Sequence, residues 1–351
     1  MILPYNHCDP LDKQIPLPIK LSALPEDHFP FLNDILKIRV AIPTASSIPI
    51  LIELYTDSAH LASFFSANWA SDVSTQKPNA RIIALKHSAS FYKLPKELDQ
   101  SRWFCPTNNQ VWMFGTEYYG NLKITVRGLC SELAPFEEMF LHGCSLSVFN
   151  HGVVLAGMSG TGKTTITSAL RYKLGNDVKI VNDDWGGFSL ETGLLRFTRE
   201  KYLHMKYPSV RRISPDLLIS PNTHASENFH GDLDDPKARL LISPIEVYGE
   251  NNIQSESTLK LFVVVLRNLS EKASIRPLQP EDISIIENGQ YSSFYQRTEW
   301  FLNGSLFLCG DIRRERIRRQ HFALLTRYYC IALNNSADPE TCADLVLNAL
   351  Q

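Results

Sequence analysis

Short apolar runs alternate with polar breaks along this chain, a rhythm of strands and helices together rather than of either alone. Ile38 to Ile42 and Ile48 to Leu54 are rich in β-branched residues and predict two strands. Ser58 then precedes Leu61, Phe64 and Phe65 at helical spacing, which predicts a capped helix through about Trp69. Ala80 to Leu85 adds another strand. Upstream, prolines at 4, 10, 16, 18, 25 and 30 predict an extended arm over residues 1–30. These elements form a small α/β module over residues 1–110, with no chemical motif of its own.

From Gln110 the pattern changes. Val111 to Phe114 and Leu122 to Val126 read as a strand pair around Gly115 to Gly120, with Lys123 alternating outward between Leu122 and Ile124. Phe136 to Leu141 reads as a short helix. Leu146 to Phe149 and Gly152 to Ala156 form a hairpin, followed by a helix from Thr165 and a buried strand from Val178. A long helix is predicted from about Asp311 to Leu333, with Phe322, Leu325, Tyr329 and Ala332 as its core face. Arg313, Arg314, Arg316, Arg318 and Arg319 crowd the front of that helix, where cations oppose its dipole, and read as a solvated or interface face. The fold class is α/β: an N-terminal module over 1–110, then a nucleotide-binding domain with a mixed sheet over 111–351.

Composition narrows the partners. The 351 residues are 44% hydrophobic and 21% charged with net charge −2, which predicts a globular core and no polyanion field, so nucleic acid is not expected. Seven cysteines without C-x-x-C spacing read as reduced thiols rather than a zinc module. No signal-like start is seen, and Leu261 to Leu266, the longest apolar run, is far too short to span a bilayer. These features predict a cytoplasmic protein without a membrane partner; self-association is left open.

The hairpin delivers the stretch that carries chemistry. Gly157-Met158-Ser159-Gly160-Thr161-Gly162-Lys163-Thr164 matches the phosphate-loop pattern G-x-x-x-x-G-K-[ST] between a predicted strand and helix. Its glycines let successive N–H groups face phosphate oxygens, and the helix start adds positive potential. Nucleotide contacts are expected from Gly157, Ser159, Gly160, Thr161, Gly162, Lys163, Thr164 and Thr165, with Lys163 reaching the outer phosphates and the Thr164 hydroxyl on Mg²⁺. About twenty residues on, Val178 to Val181 leads into Asn182-Asp183-Asp184-Trp185-Gly186, a strand ending in acids beside the metal position. Asp183 is expected as general base and Asp184 as metal ligand.

These residues resemble the phosphoenolpyruvate carboxykinase and HPr kinase/phosphorylase superfamily. Gly157 to Thr165 looks like the carboxykinase phosphate loop, Leu141-His142-Gly143 is similar to the His-Gly element of HPr kinases, and Asn182 to Gly186 resembles the paired-aspartate element of both. Gly115 to Lys123 echoes the segment that carries a metal-binding lysine, although two lysines are adjacent in that branch where this chain has Lys123-Ile124. Arg239, followed by Ser243-Pro244-Ile245, resembles the arginine that contacts the transferred phosphoryl group. The resemblance covers roughly Gly115 to Gly289 and implies an acid/base or metal role for His142 and a charge-stabilising role for Arg239. Residue 165 is Thr, as in carboxykinases, and no counterpart of their oxaloacetate-gripping arginine is recognisable. The expectation is an ATP- and Mg²⁺-dependent kinase that transfers the γ-phosphoryl group to a hydroxyl of a small metabolite or of a serine in a protein or peptide. The alternatives are a shortened carboxykinase and a nucleotide-binding regulator.

Overall fold

The computed structural model describes residues 17, 19–21, 35–44, 48–71, 75–141, 143–157, 161–183, 185–196, 200, 203–206, 239–267, 271–279, 320, 323–325, 328–335 and 338–351. The arm over 1–30 lies outside them except at Leu17 and at the strand Ile19–Leu21, and the arginines 313–319 and Phe322 lie outside them entirely.

Seven strands make the first sheet: β1 (Ile19–Leu21), β2 (Leu36–Ile42), β3 (Ile50–Thr56), β4 (Ala70–Ser71), β5 (Ala80–Ala84), β6 (Arg102–Cys105) and β7 (Gln110–Met113). They run in the order β1-β6-β7-β5-β3-β2-β4, with β3, β5 and β7 mutually parallel. Helix α1 (Ala59–Asn68) starts where expected, because the Ser58 hydroxyl accepts from the Leu61 N–H at 3.2 Å. Alternate residues of β5 and β7 face two cores. Ile82, Val111 and Met113 meet α1, while Ile83 and Trp112 pack with Leu98 and Phe114 on the other side.

Three expectations fail in the middle of the chain. Leu122 to Val126 is not a strand but part of helix α2 (Tyr119–Leu133), whose residues from Tyr119 to Glu132 are all buried. Lys123 and Arg127 stand one turn apart on it, but the short window Leu122 to Val126 shows only the alternation that a strand also gives. Lys123 is therefore a buried helical residue, not an exposed strand lysine. Phe136 to Leu141 is not a helix: Glu138–Leu141 forms β8, pairing antiparallel with β12.

The second sheet contains β8, β9 (Gly143–Val148), β10 (His151–Ala156), β11 (Val178–Asn182), β12 (Gly186–Ser189) and β13 (Leu194–Arg196). A separate pair, β14 (Leu203–Lys206) and β15 (Arg239–Ile242), precedes the long β16 (Glu256–Arg267), then β17 (Ser274–Pro277) and β18 (Tyr329–Asn335). The predicted hairpin is present as β9 and β10, antiparallel from His151↔Val148 to Ala156↔Gly143. Strand β16 lies between β10 and β18 and runs parallel to both, while its first residues pair with β13. Helices α3 (Lys163–Leu174) and α5 (Pro339–Leu350) cover one face; α4 (Pro244–Tyr248) is a short helix after β15.

The helix expected to reach Leu333 instead gives way to β18, although residues 323–325 are helical. Leu325 and Ala332 are buried as expected, but Tyr329 is 55% exposed. Pairing with β16 from Leu261↔Tyr329 to Arg267↔Asn335 overrides the local helical spacing. Among the described residues no helix is long and apolar enough to cross a membrane, and Cys105, Cys130, Cys144, Cys330 and Cys342 are free thiols.

Charge pins the first sheet at Glu53 on β3. Its side chain is 1% exposed and meets Lys37 at 3.0 Å, Arg39 at 2.8 Å and Arg81 at 3.5 Å from the two flanking strands. Tyr55 donates a further bond at 2.8 Å. Burial pushes the carboxyl up, but the bonds from Arg39, Lys37 and Tyr55 outweigh it and hold it below the ordinary glutamate value. Its stabilising contribution is therefore complete above that ordinary value and is lost as pH falls through the lowered one. We predict that Glu53→Gln costs about 2 kcal/mol at neutral pH, less than a wholly buried pair because Lys37 and Arg81 reach solvent. Urea melts across pH 3–7 check this: the variant should show a flatter acid limb than the wild type.

Candidate active site

The phosphate loop leaves the sheet at the C-terminal end of β10. A Cβ on Gly157 would lie 2.6 Å from the Val265 carbonyl oxygen of β16, so only glycine lets the loop turn away so close to that strand. Gly162 closes the turn with φ 98°, in the left-handed region, and α3 begins at Lys163. Lys163 is 8% exposed, and its Nζ donates to the Gly157 carbonyl at 2.8 Å. From the end of β18, the Asn335 amide donates to the Thr161 carbonyl at 2.6 Å, while its oxygen accepts from the Cys342 thiol at 3.5 Å. The loop is thus held from β16 and β18 as well as from its own hairpin.

The acid strand arrives beside it. Asp183 follows β11, and its Oδ1 stands 3.5 Å from the Thr164 hydroxyl. That oxygen also accepts from the Cys144 thiol at 2.7 Å, and Oδ2 accepts from the Tyr248 hydroxyl at 2.7 Å. Burial first, then the Asp183 charge, pushes both the thiol and the phenol well above their ordinary values, which keeps them protonated as donors. Tyr248 closes α4, which Ser243 and Glu246 cap reciprocally, and the Arg171 guanidinium of α3 lies 5.3 Å from its ring centre.

The fold therefore brings together Lys163, Thr164 and Asp183. Thr165 lies in the first turn of α3, half-buried, and Thr161 and Gly162 complete the described part of the loop. Ser159, Gly160, His142 and Asp184 lie outside the described residues. Arg239 opens β15, opposite Lys206 of β14. Lys123 has its own partner: its ammonium is 3.3 Å from Glu200, whose other oxygen takes the Arg127 guanidinium at 2.9 Å, with all three side chains at most 6% exposed. Arg127 also lies 5.7 Å from the ring centre of Trp185, which stacks on Phe140 at 4.9 Å.

Asn335, Cys144, Tyr248 and Glu200 were not foreseen. Each reaches its partner across at least 39 residues, and none stands in a motif. Among the described residues no three His, Cys, Asp or Glu side chains gather into a metal cluster. A Thr hydroxyl and a carboxylate 3.5 Å apart do fit Mg²⁺, which takes hard oxygen donors and is commonly held by one or two protein groups plus substrate phosphates.

A strand–loop–helix phosphate site beside an acid-ended strand, on a mixed sheet, defines a P-loop nucleotide-binding protein of α/β class. Residues 44–203 match the model of the phosphoenolpyruvate carboxykinase family, and over that stretch the chain is similar to it. It is 29% identical to phosphoenolpyruvate carboxykinase (ATP) of Staphylococcus haemolyticus over 181 residues, 47% of this chain and 31% of that one. The enzyme of the same name from Staphylococcus aureus is 31% identical over 124 residues, 33% of this chain and 23% of that one. That from Bacillus cytotoxicus is 36% identical over 85 residues, 24% and 16% of the two chains. The matched part thus spans less than a third of the length of these relatives. The match starts at residue 44, well before the expected Gly115, so most of the N-terminal module is carboxykinase-like too. The HPr-kinase side of the resemblance gains no support from it.

Asn335→Ala should leave the fold intact and weaken ATP binding about five- to tenfold, since a buried carbonyl of the loop loses its donor. Calorimetric titration with Mg–ATP on both proteins measures this.

Proposed function

We propose that the chain is an ATP- and Mg²⁺-dependent phosphotransferase of the carboxykinase type. The observation that carries this is the 3.5 Å approach of Asp183 to Thr164, one residue beyond Lys163, inside the stretch that matches the carboxykinases. Lys163 would hold the outer phosphates and neutralise charge as the γ-phosphoryl group leaves ADP for its acceptor. Thr164 with Asp183 and Asp184 would hold Mg²⁺, which neutralises the phosphate oxygens when bound. The metal side suits Asp183 better than the base role expected from its sequence, because Cys144 and Tyr248 already donate to its oxygens and Thr164 faces it. Arg239 is proposed to contact the transferred group and His142 to serve as an acid/base or metal group.

The family match favours carboxykinase chemistry, in which oxaloacetate loses CO₂ and its enolate oxygen takes the phosphoryl group. One observation favours the second reading, transfer to a hydroxyl. A further metal at Lys123, which the resemblance implies, does not fit: Ile124 has no donor, and Lys123 is engaged with Glu200 in a buried ion pair. No step is assigned to that metal.

The test is incubation with oxaloacetate, ATP, Mg²⁺ and Mn²⁺, following phosphoenolpyruvate, beside γ-labelled ATP with small-molecule and protein fractions of a cell extract. Phosphoenolpyruvate formed at a catalytic rate is the expected result. Label on a hydroxyl without phosphoenolpyruvate would establish the second reading, and neither product would sink catalysis. Lys163→Ala should abolish turnover and weaken Mg–ATP-dependent thermal stabilisation at least tenfold; equal thermal shifts in variant and wild type would remove the loop as the site.

A further inference from the structure

We infer that Tyr248 is a positioning residue of the nucleotide–metal site, acting through the Asp183 carboxylate; the inference rests on the proposed nucleotide function. Asp183 follows the last residue of β11 and precedes Asp184, so its backbone alone does not fix how the carboxylate is turned. Two donors fix it. Tyr248 donates to Oδ2 at 2.7 Å and Cys144 to Oδ1 at 2.7 Å, which leaves Oδ1 as the oxygen facing Thr164 at 3.5 Å. Such partners behind a metal-ligating carboxylate commonly govern metal affinity.

Tyr248 is itself held rigidly. It is 2% exposed, it terminates a helix with a reciprocal cap at Ser243 and Glu246, and its carbonyl accepts from the Asn252 amide at 2.9 Å. The Arg171 guanidinium over its ring ties it to α3, the helix that carries Lys163 and Thr164. Tyr248 also lies nine residues beyond Arg239, on the segment that runs directly from β15 through Ser243 into α4. The Tyr248 hydroxyl therefore joins the segment that bears Arg239 to the Asp183 carboxylate, beside the bond from the Gln254 N–H to the Ile180 carbonyl of β11 at 2.8 Å.

The test is Tyr248→Phe, which removes the hydroxyl and keeps the ring beneath Arg171. ATP-dependent thermal stabilisation is measured while Mg²⁺ is titrated at fixed ATP, and turnover is followed beside it. The expected result is a Mg²⁺ midpoint raised about 10- to 100-fold, with the melting temperature without nucleotide little changed. In an Asp183→Asn background the same substitution should add nothing, because the group it positions has been altered. Tyr172→Phe, at an exposed α3 position, serves as the control and should match the wild type. An unchanged Mg²⁺ midpoint in Tyr248→Phe would overturn the inference, as would a rise of equal size in the Asp183→Asn background. If Tyr248→Phe unfolds, Tyr248→His, which keeps a ring donor, is measured; a midpoint no nearer the wild type than that of Tyr248→Ala overturns the inference. Absence of any Mg–ATP shift in the wild type would instead count against the nucleotide reading itself, which separates the two failures.

Discussion

Everything at the candidate site depends on one close approach, that of Gly157 to the Val265 carbonyl of β16. Strands β10 and β16 run parallel, with Leu155 opposite Val263 and Ala156 opposite Val264, so the loop emerges at the C-terminal edge of the sheet. β18 continues that edge and ends at Asn335, whose amide holds the Thr161 carbonyl. Ligands in open α/β sheets bind outside the carboxyl ends of parallel strands, where loops diverge and helix N-termini converge. Here the arrangement needs a residue without a side chain at the first loop position. It also needs an amide supplied by a strand that follows the loop by some 170 residues.

The same edge explains why the acid strand is useful. β11 lies outside β9 in the sheet and reaches Asp183 at the level where α3 begins. The carboxylate is then surrounded by donors from β9, from α3 and from α4. A buried thiol and a buried phenol both remain protonated beside it, so both can only orient it and neither competes for a proton. Precision at Asp183 is a property of three separate chain segments meeting, not of the aspartate pair itself.

The buried ion cluster on α2 is a different kind of feature. Lys123 and Arg127, one turn apart, share Glu200, and Arg127 also approaches Trp185, two residues past Asp183. Buried pairs of this kind contribute little net stability compared with apolar packing, but they fix geometry because a lone buried charge is so costly. Their effect here is to lock α2, the helix that packs on the first sheet, against the segment following the acids. What the resemblance reads as a metal-binding lysine is in this chain part of that lock.

The sequence by itself determined what depends on local chemistry. The phosphate loop with Lys163 and Thr164, the hairpin before it, the acid-ended strand at Asp183 and the Ser58 cap were all legible, because glycine turns, apolar runs and side-chain caps act within a few residues. Similarity to the carboxykinase family was legible from the same motifs, although the module before Gly115, matched from residue 44, carried none that could reveal it. Only the tertiary structure decided the rest. Residues 119–132 are buried all round, and the window Leu122 to Val126 alternates as a strand would, while 329–335 became a strand because β16 offered a parallel edge over seven residues. Tyr248, Cys144, Asn335 and Glu200 gained their roles from partners far along the chain, through contacts that exist only once the sheets are assembled. Local pattern specifies which groups can do chemistry; long-range pairing specifies which of them meet.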